Sequence, residues 1–369
     1  MTSHRYVARM SEATDVTDGT DPVTLAARLM EIDSTSGREG EVIDWTHAYL
    51  TEREWHVRRI RVSPGRHNLL AMTDAEAPRA GIVTLSTHLD TVPPHIPPRL
   101  DGNVLHGRGA CDAKGIAAAM MCAAERLRER QLPVALLFVV GEEVTHDGAH
   151  AADAFARSFF RDVSRADRVL VNGEPTQSTL AVGTKGAMRV TVRVTGEAAH
   201  SAYPHLGRSA TRELVRLLAE LDDLDLPRDE VLGETTINIG MLFGGVADNI
   251  IAPAAEARLM ARLVTPADAV WQLLEGWAAG RASLERGPTV PPVRLGVLPG
   301  FKTSVAAYAT DIPELTHWGR PHLFGPGSIH VAHRDDEHVE IEELNAAVDA
   351  YERIALLSVD RGSWIVDRE

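Results

Sequence analysis

Ile82-Val83-Thr84-Leu85-Ser86-Thr87-His88-Leu89-Asp90 is the stretch on which the reading of the fold turns. Ile82 to Ser86 reads as a strand covered on both faces, and the chain leaves it on a histidine and an aspartate. Two more apolar runs follow the same plan. Val134 to Val140 passes into Gly141-Glu142-Glu143, and Val169 to Val171 into Asn172-Gly173-Glu174-Pro175. Between the first two lies Lys114 to Arg130, where Ile116, Met120, Ala124 and Leu127 recur at helical spacing and Pro133 closes the segment. Strands alternating with helices predict an α/β domain whose mixed, mainly parallel sheet lies between helices. Sites in such sheets form at the carboxyl ends of the strands, and here three ends bring His88, the Glu142-Glu143 pair and Glu174 to one edge.

From about Thr184 the pattern becomes that of a sheet with one wet face. Val190, Val192 and Val194 alternate with Arg189, Thr191, Arg193 and Thr195. A helix from Ser209 to Asp222, strands at Thr236 to Phe243 and Ala255 to Val264, a helix from Ala267 to Leu284 and a strand at Val293 to Leu298 complete a β-α-β-β-α-β order, a ferredoxin-like α+β insertion. After Pro299-Gly300 the chain is expected to return to the first domain through a helix at Ser304 to Ile312 and a last helix at Glu340 to Ser358. The domains expected are therefore residues 1–183 with 299–369, and residues 184–298.

Composition narrows the function. The chain has 369 residues, 38 basic against 52 acidic, and a net charge of −14, which gives nucleic acid or an anionic membrane little to bind. No stretch approaches the roughly 18 apolar residues of a membrane span, and Met1 to Asp21 is polar, with a mobile tail expected over about the first 18 residues. The two cysteines, Cys111 and Cys122, suit a reducing compartment, so a cytoplasmic protein is expected.

In an extended chain His88 and Asp90 face the same side, so Asp90 can orient the imidazole of His88, as a partner of a metal ligand does. Asp112 sits in the glycine-rich turn Gly107-Arg108-Gly109-Ala110-Cys111-Asp112-Ala113-Lys114-Gly115 that opens a helix. Alone it reads as an N-cap. The late segment Ala332-His333-Arg334-Asp335-Asp336-Glu337 adds a histidine, for which His330 is a rival. Histidine, aspartate and glutamate together coordinate divalent zinc.

These five ordered motifs resemble the metallohydrolase family of acetylornithine deacetylase, succinyl-diaminopimelate desuccinylase, aminoacylase and carboxypeptidase G, over essentially the whole chain after about residue 20. The resemblance implies two divalent metals, zinc first with cobalt or manganese as alternatives. It implies one zinc on His88, Asp112 and Glu174 and the other on Glu143, Asp112 and His333, with Asp112 shared. It further implies Asp90 as orienter, Glu142 as general base toward the attacking water, and a cis Asp112–Ala113 peptide.

Ala199-His200-Ser201-Ala202-Tyr203-Pro204 is similar to the family's lid motif, which implies that His200 stabilises the oxyanion and that the chain is a homodimer. Without the family, His200 reads as a turn or surface histidine. Asn249 and Arg262 match the lid residues that hold a substrate carboxylate. The family's proline after the asparagine is displaced here to Pro253, and its acid before the arginine is Met260. Arg258, on the same strand face as Arg262, is an alternative anchor. The function expected is hydrolysis of a small N-acyl-amino acid, with N-acetylornithine as the first substrate and desuccinylase, dipeptidase and carboxypeptidase as alternatives. A non-catalytic carboxylate-binding protein is the reading from another class; it should have lost the base, and Glu142 is present.

Overall fold

The computed structural model describes residues 21–74 and 81–359, so the expected N-terminal tail lies outside the described residues. By internal packing the described residues form two units, one of residues 21–74, 81–181, 296–304 and 314–359, the other of Val182–Leu295 and Val305–Pro313. The first unit opens with α1 (Pro22–Glu31), α2 (Gly40–Glu52), β1 (His56–Ser63), β2 (Arg66–Met72), β3 (Val83–His88), α3 (Lys114–Glu129), β4 (Val134–Val139), α4 (Asp147–Phe159) and β5 (Val169–Asn172). The second unit contributes β6 (Gly186–Thr195), α5 (Ala210–Ala219), β7 (Thr236–Gly244), β8 (Ala254–Leu263), α6 (Ala267–Ala278) and β9 (Ser283–Val290). The chain then returns to the first unit as β10 (Arg320–Leu323) and α7 (Ile341–Val359).

In the first unit six strands run in the order β1-β2-β4-β3-β5-β10; the last four are mutually parallel, and β1 and β2 add on antiparallel. The unalternating sequences have a direct cause. Leu85, Leu136, Phe138 and Val171 pack into the core of α1, α3 and α7, while Leu137, Val139 and Leu170 pack on the other face against Ala149, Ala152 and Ala156 of α4 and against Trp318. Each such side chain removed from water contributes about 1.5–3 kcal/mol. Helix α3 lies between α1, α7 and the sheet, so every residue from Lys114 to Ala124 is buried, beyond the single stripe that helical spacing predicts.

The second unit forms a four-stranded antiparallel sheet in the order β7-β8-β6-β9 with α5 and α6 on one face, the ferredoxin-like order. Val190, Val192 and Val194 meet Ala257, Leu259 and Ala261 under Leu214, Leu217, Val270 and Leu274, leaving the alternate residues on the other face. Ser209 caps α5 by accepting from the Arg212 N–H at 3.3 Å.

Three expectations need correction. The helix expected at Ala267 to Leu284 stops at Ala278, because Gly280 takes φ +73° and Trp277 Nε1 is tied to the Leu217 carbonyl at 3.0 Å. The fourth strand is then β9 at Ser283–Val290, not Val293 to Leu298; a register shift between Arg286 and Thr289 accommodates Gly287 and Pro288. No helix forms at Ser304 to Ile312: Thr303–Ala306 is a strand, and tertiary pairing overrides the helical propensity of its alanines. Cys111 and Cys122 are free and buried, and among the described residues no helix is long and apolar enough to cross a membrane.

Candidate active site

Strand β3 ends at His88, which is 1% exposed. Its Nδ1 donates to the Asp90 backbone carbonyl at 2.9 Å, which turns Nε2 to Asp112 Oδ1 at 3.0 Å. The sequence assigned the orienting role to the Asp90 carboxylate, but that oxygen stands 3.6 Å from His88 Nδ1. The carboxylate instead accepts from the backbone N–H groups of Glu142 at 3.1 Å and Glu143 at 3.3 Å and from Ser36 Oγ at 2.8 Å. Asp90 therefore orients with its backbone and anchors the Glu-Glu loop with its side chain.

That loop leaves β4 through Gly141 at φ +77°, where an added Cβ would lie 2.2 Å from Asp147 Oδ1. Only glycine fits. Arg66 holds the loop from behind, its Nε and Nη2 donating to buried Glu39 at 3.0 and 2.8 Å while Nη1 pairs with Asp147. The Glu143 side chain is 5% exposed and meets His333 Nε2 at 2.9 Å, and the same nitrogen lies 3.3 Å from Asp112 Oδ2. His333 reaches this position from a loop in which it takes φ +65°, and half of its side chain is exposed. Its rival His330 is exposed, and its backbone N–H donates to Ser328 Oγ at 3.2 Å.

Asp112, 5% exposed, is thus the shared centre, with one oxygen toward His88 and the other toward His333. It is no N-cap: Ala113 holds that position in α3, and the Asp112–Ala113 peptide is cis. Gly115 lets the turn close, since a Cβ there would lie 2.1 Å from the Ala110 carbonyl oxygen. Glu174 is 4% exposed and stands beyond β5; because Ser86 pairs with Asn172 in register, Glu174 is level with His88 at the sheet edge.

The electrostatics follow from this crowding. Burial would raise the Asp112 carboxyl, but hydrogen bonds from His333 and His88 win and hold it well below the usual carboxylate range. Hydrogen bonds to Asp112 and Glu143 lift His333 to about 10. Burial works against the His88 imidazolium, yet Asp112, Asp90 and the Glu142 charge carry it well above its ordinary value. Burial raises Glu143. The carboxylates thus demand positive charge at this edge, and ligand atoms of His88, Asp112 and Glu143 lie within 4.8 Å of one another, a nitrogen and oxygen set that fits a divalent ion. Glu142 is half-buried, with Oε1 4.0 Å from His146 Nδ1.

One residue the motifs did not single out is Glu337, fully buried against Arg108 at 2.6 Å. It closes the late segment that carries His333, but the motif gives it no role, and the charged run Arg334-Asp335-Asp336-Glu337 does not reveal its burial.

In the second unit His200 is exposed, and its Nδ1 accepts from the Ala202 N–H at 3.1 Å. The neutral ring therefore carries its proton on Nε2. Ser201 N donates to the Asn249 carbonyl at 2.9 Å, and His200 bridges to Ile250, which brings the two segments side by side. Arg258 and Arg262 share the open face of β8, but their situations differ. Arg258 Nε donates to Glu256 at 3.2 Å and its guanidinium lies over the Phe243 ring, 5.7 Å from its centroid. Arg262 is half-buried with no carboxylate partner among the described residues, and burial, with Arg189 beside it, lowers its pKa.

Comparison with known proteins adds to this geometry. Residues 182–281 match the peptidase dimerisation domain, and residues 68–200 match peptidase family M28. A Schizosaccharomyces pombe peptidase M20 domain-containing protein is 36% identical over 352 residues, covering 92% of this chain and 86% of the relative. A probable carboxypeptidase of Paracoccidioides brasiliensis is also 36% identical, with the same coverage of 92% and 86%. In fold the chain is similar to a Staphylococcus aureus tripeptidase, with a TM-score of 0.75 at 21% identity over 92% of this chain and 99% of the other.

Proposed function

This chain belongs to the M20 peptidase family, and from that premise we propose that it is a two-metal peptidase that cuts the amide bond next to a free C-terminal carboxylate. That it is a hydrolase of amide bonds follows from the family. Two observations, each within its own unit, support the finer reading: the His88–Asp112–Glu143–His333 cluster, and Arg262, a half-buried cation without a carboxylate partner among the described residues.

His88, Asp112 and Glu174 would hold one divalent ion, and Asp112, Glu143 and His333 the other, zinc being the first choice for this donor set. Bound there, the ions would polarise the scissile carbonyl and acidify a water. Glu142, adjacent to the ligand Glu143, accepts the proton as that water attacks the carbonyl carbon and returns it to the leaving nitrogen as the C–N bond breaks. His200 offers its Nε2–H to the carbonyl oxygen as negative charge develops on it. Arg262, with Asn249, receives the substrate carboxylate, for which a planar guanidinium is well matched. Arg258, already engaged by Glu256, is the weaker anchor.

The N-acetyl-amino acid expected from the sequence and a short peptide present the same reacting group, an amide on the carbon that bears the carboxylate. Resemblance to a probable carboxypeptidase supports the peptide. Incubation of the zinc-loaded protein with dipeptides, tripeptides, N-succinyl-amino acids and N-acetylornithine, followed by chromatography of the products, is the test. Release of C-terminal amino acids is expected; turnover of N-acetylornithine alone would return the assignment to deacetylation.

The chain is further proposed to act as a homodimer in the cytoplasm, the latter supported by its two buried free thiols. Strand β7 is at the edge of its sheet, and Ile239, Met241, Leu242 and Phe243 on it are exposed, an apolar edge that a second copy would cover, in keeping with the match to a dimerisation domain. Light scattering should give twice the chain mass, and Phe243→Asp should shift it toward the monomer; a wild-type monomer would remove the dimer from the account.

A further inference from the structure

Asp112 has to stand at a fixed point for its two oxygens to face His88 and His333, yet it belongs to a turn of small residues with no helix or strand of its own. What fixes that turn is one buried carboxylate. Glu337 Oε1 accepts from three successive parts of it, Gly109 N at 2.9 Å, Cys111 N at 3.3 Å and Asp112 N at 3.2 Å. Its Oε2 accepts from Arg108 Nη1 at 2.6 Å, and both side chains are about 1% exposed or less.

The same residues tie the turn to the loop of His333. Arg108 Nη1 also donates to the Arg334 carbonyl at 3.1 Å, next to His333, while Gly107 N donates to the Glu337 carbonyl at 2.9 Å. Asp112 and Glu337 are 225 residues apart in sequence, so this contact joins two distant ligand-bearing loops. Arg108 supplies the charge that lets the carboxylate remain in a buried place, and the three N–H groups satisfy its other oxygen.

We infer that Glu337 is a positioning residue for the metal centre: as acceptor for the Gly109, Cys111 and Asp112 N–H groups it holds Asp112 where it can be shared, and through Arg108 it sets the His333 loop against it. The inference rests on the metal-site reading above. Groups that orient metal ligands typically contribute 10–100-fold to metal affinity, and Glu337 acts in that way without touching an ion.

The test separates the acceptor from the buried charge. Arg108→Leu with Glu337→Gln and Arg108→Leu with Glu337→Leu both abolish the ion pair, but only the first keeps an oxygen that the three N–H groups can reach. The glutamine NH2 would then face the Arg334 carbonyl that Arg108 has vacated. Zinc affinity is measured by competition titration with a chelator, beside bound zinc by elemental analysis, and folding by circular dichroism with thermal midpoints. The Leu/Leu protein should bind zinc about 10–100-fold more weakly than the Leu/Gln protein, at similar midpoints. Equal zinc affinity in the two would overturn the positioning role. Loss of fold in either would make the pair a structural group and overturn it as well. Failure of the wild-type protein to bind zinc is a separate result, because it removes the metal reading itself.

Discussion

At the sheet edge of the first unit His88, Asp112, Glu143 and His333 each lie within hydrogen-bonding distance of another member of the set, and Asp112 and Glu143 have side chains only 6% and 5% exposed. In the second unit the reverse holds: Arg262, on the open face of the sheet, has no carboxylate partner among the described residues, and His200 presents an exposed ring whose Nδ1 accepts from the Ala202 N–H. Under the proposed mechanism the contrast separates two tasks. Groups that share an ion must be assembled before it arrives, since small displacements spoil a common coordination site. Groups that meet a substrate must keep their donors unspent until it binds, or each new bond only replaces an old one.

The comparison can be broken by mutation. His200→Ala should lower kcat by about 10²–10³-fold, the usual effect of removing one oxyanion donor, while bound zinc and thermal midpoint stay at wild type. Zinc loss in that variant would move His200 into the ligand set and erase the division. Arg262→Ala should act mainly on KM, raising it about 10–100-fold, as expected for losing a charge-assisted bond of about 1.5–3 kcal/mol; an unchanged KM across peptide substrates would show that the carboxylate lands elsewhere. Arg258→Ala sharpens the same point at the small end of the scale. Its guanidinium already serves Glu256, so KM should stay within about twofold of wild type, and a larger effect than that of Arg262→Ala would exchange the two roles.

Much of the first unit could be read from sequence because its physics is local and repetitive. Strands buried on both faces cannot alternate, so β3, β4 and β5 announced themselves, and with them the side chains at their carboxyl ends. The burial of Glu337 is not legible in this way, because a buried acid needs a partner from another part of the chain, and neither Arg108 nor the charged run at Arg334 signals the other. Asp90 was seen as a neighbour of His88, but its carboxylate bonds to Glu142 and Glu143 depend on β4 lying beside β3, which spacing along one strand cannot reveal. The region from Ser304 to Ile312 differs from its helical expectation for the same reason: alanines favour a helix in isolation, and a strand partner decides otherwise. In the second unit, alternation predicted which face of β6 is wet, while the end of α6 depended on Gly280, a single left-handed residue inside an apparently continuous apolar pattern.

The proposed mechanism divides labour between adjacent glutamates, Glu142 moving protons and Glu143 holding metal. It is tested most directly by measuring bound zinc and peptide hydrolysis in Glu142→Gln and Glu143→Gln side by side. Glutamine keeps the size of the side chain in both. Glu142→Gln should retain the wild-type zinc content and lose at least about 10²–10⁴-fold in kcat, since it serves two proton transfers, whereas Glu143→Gln should lose zinc from one of the two sites. Full activity in Glu142→Gln, or equal zinc loss in the two proteins, would contradict it.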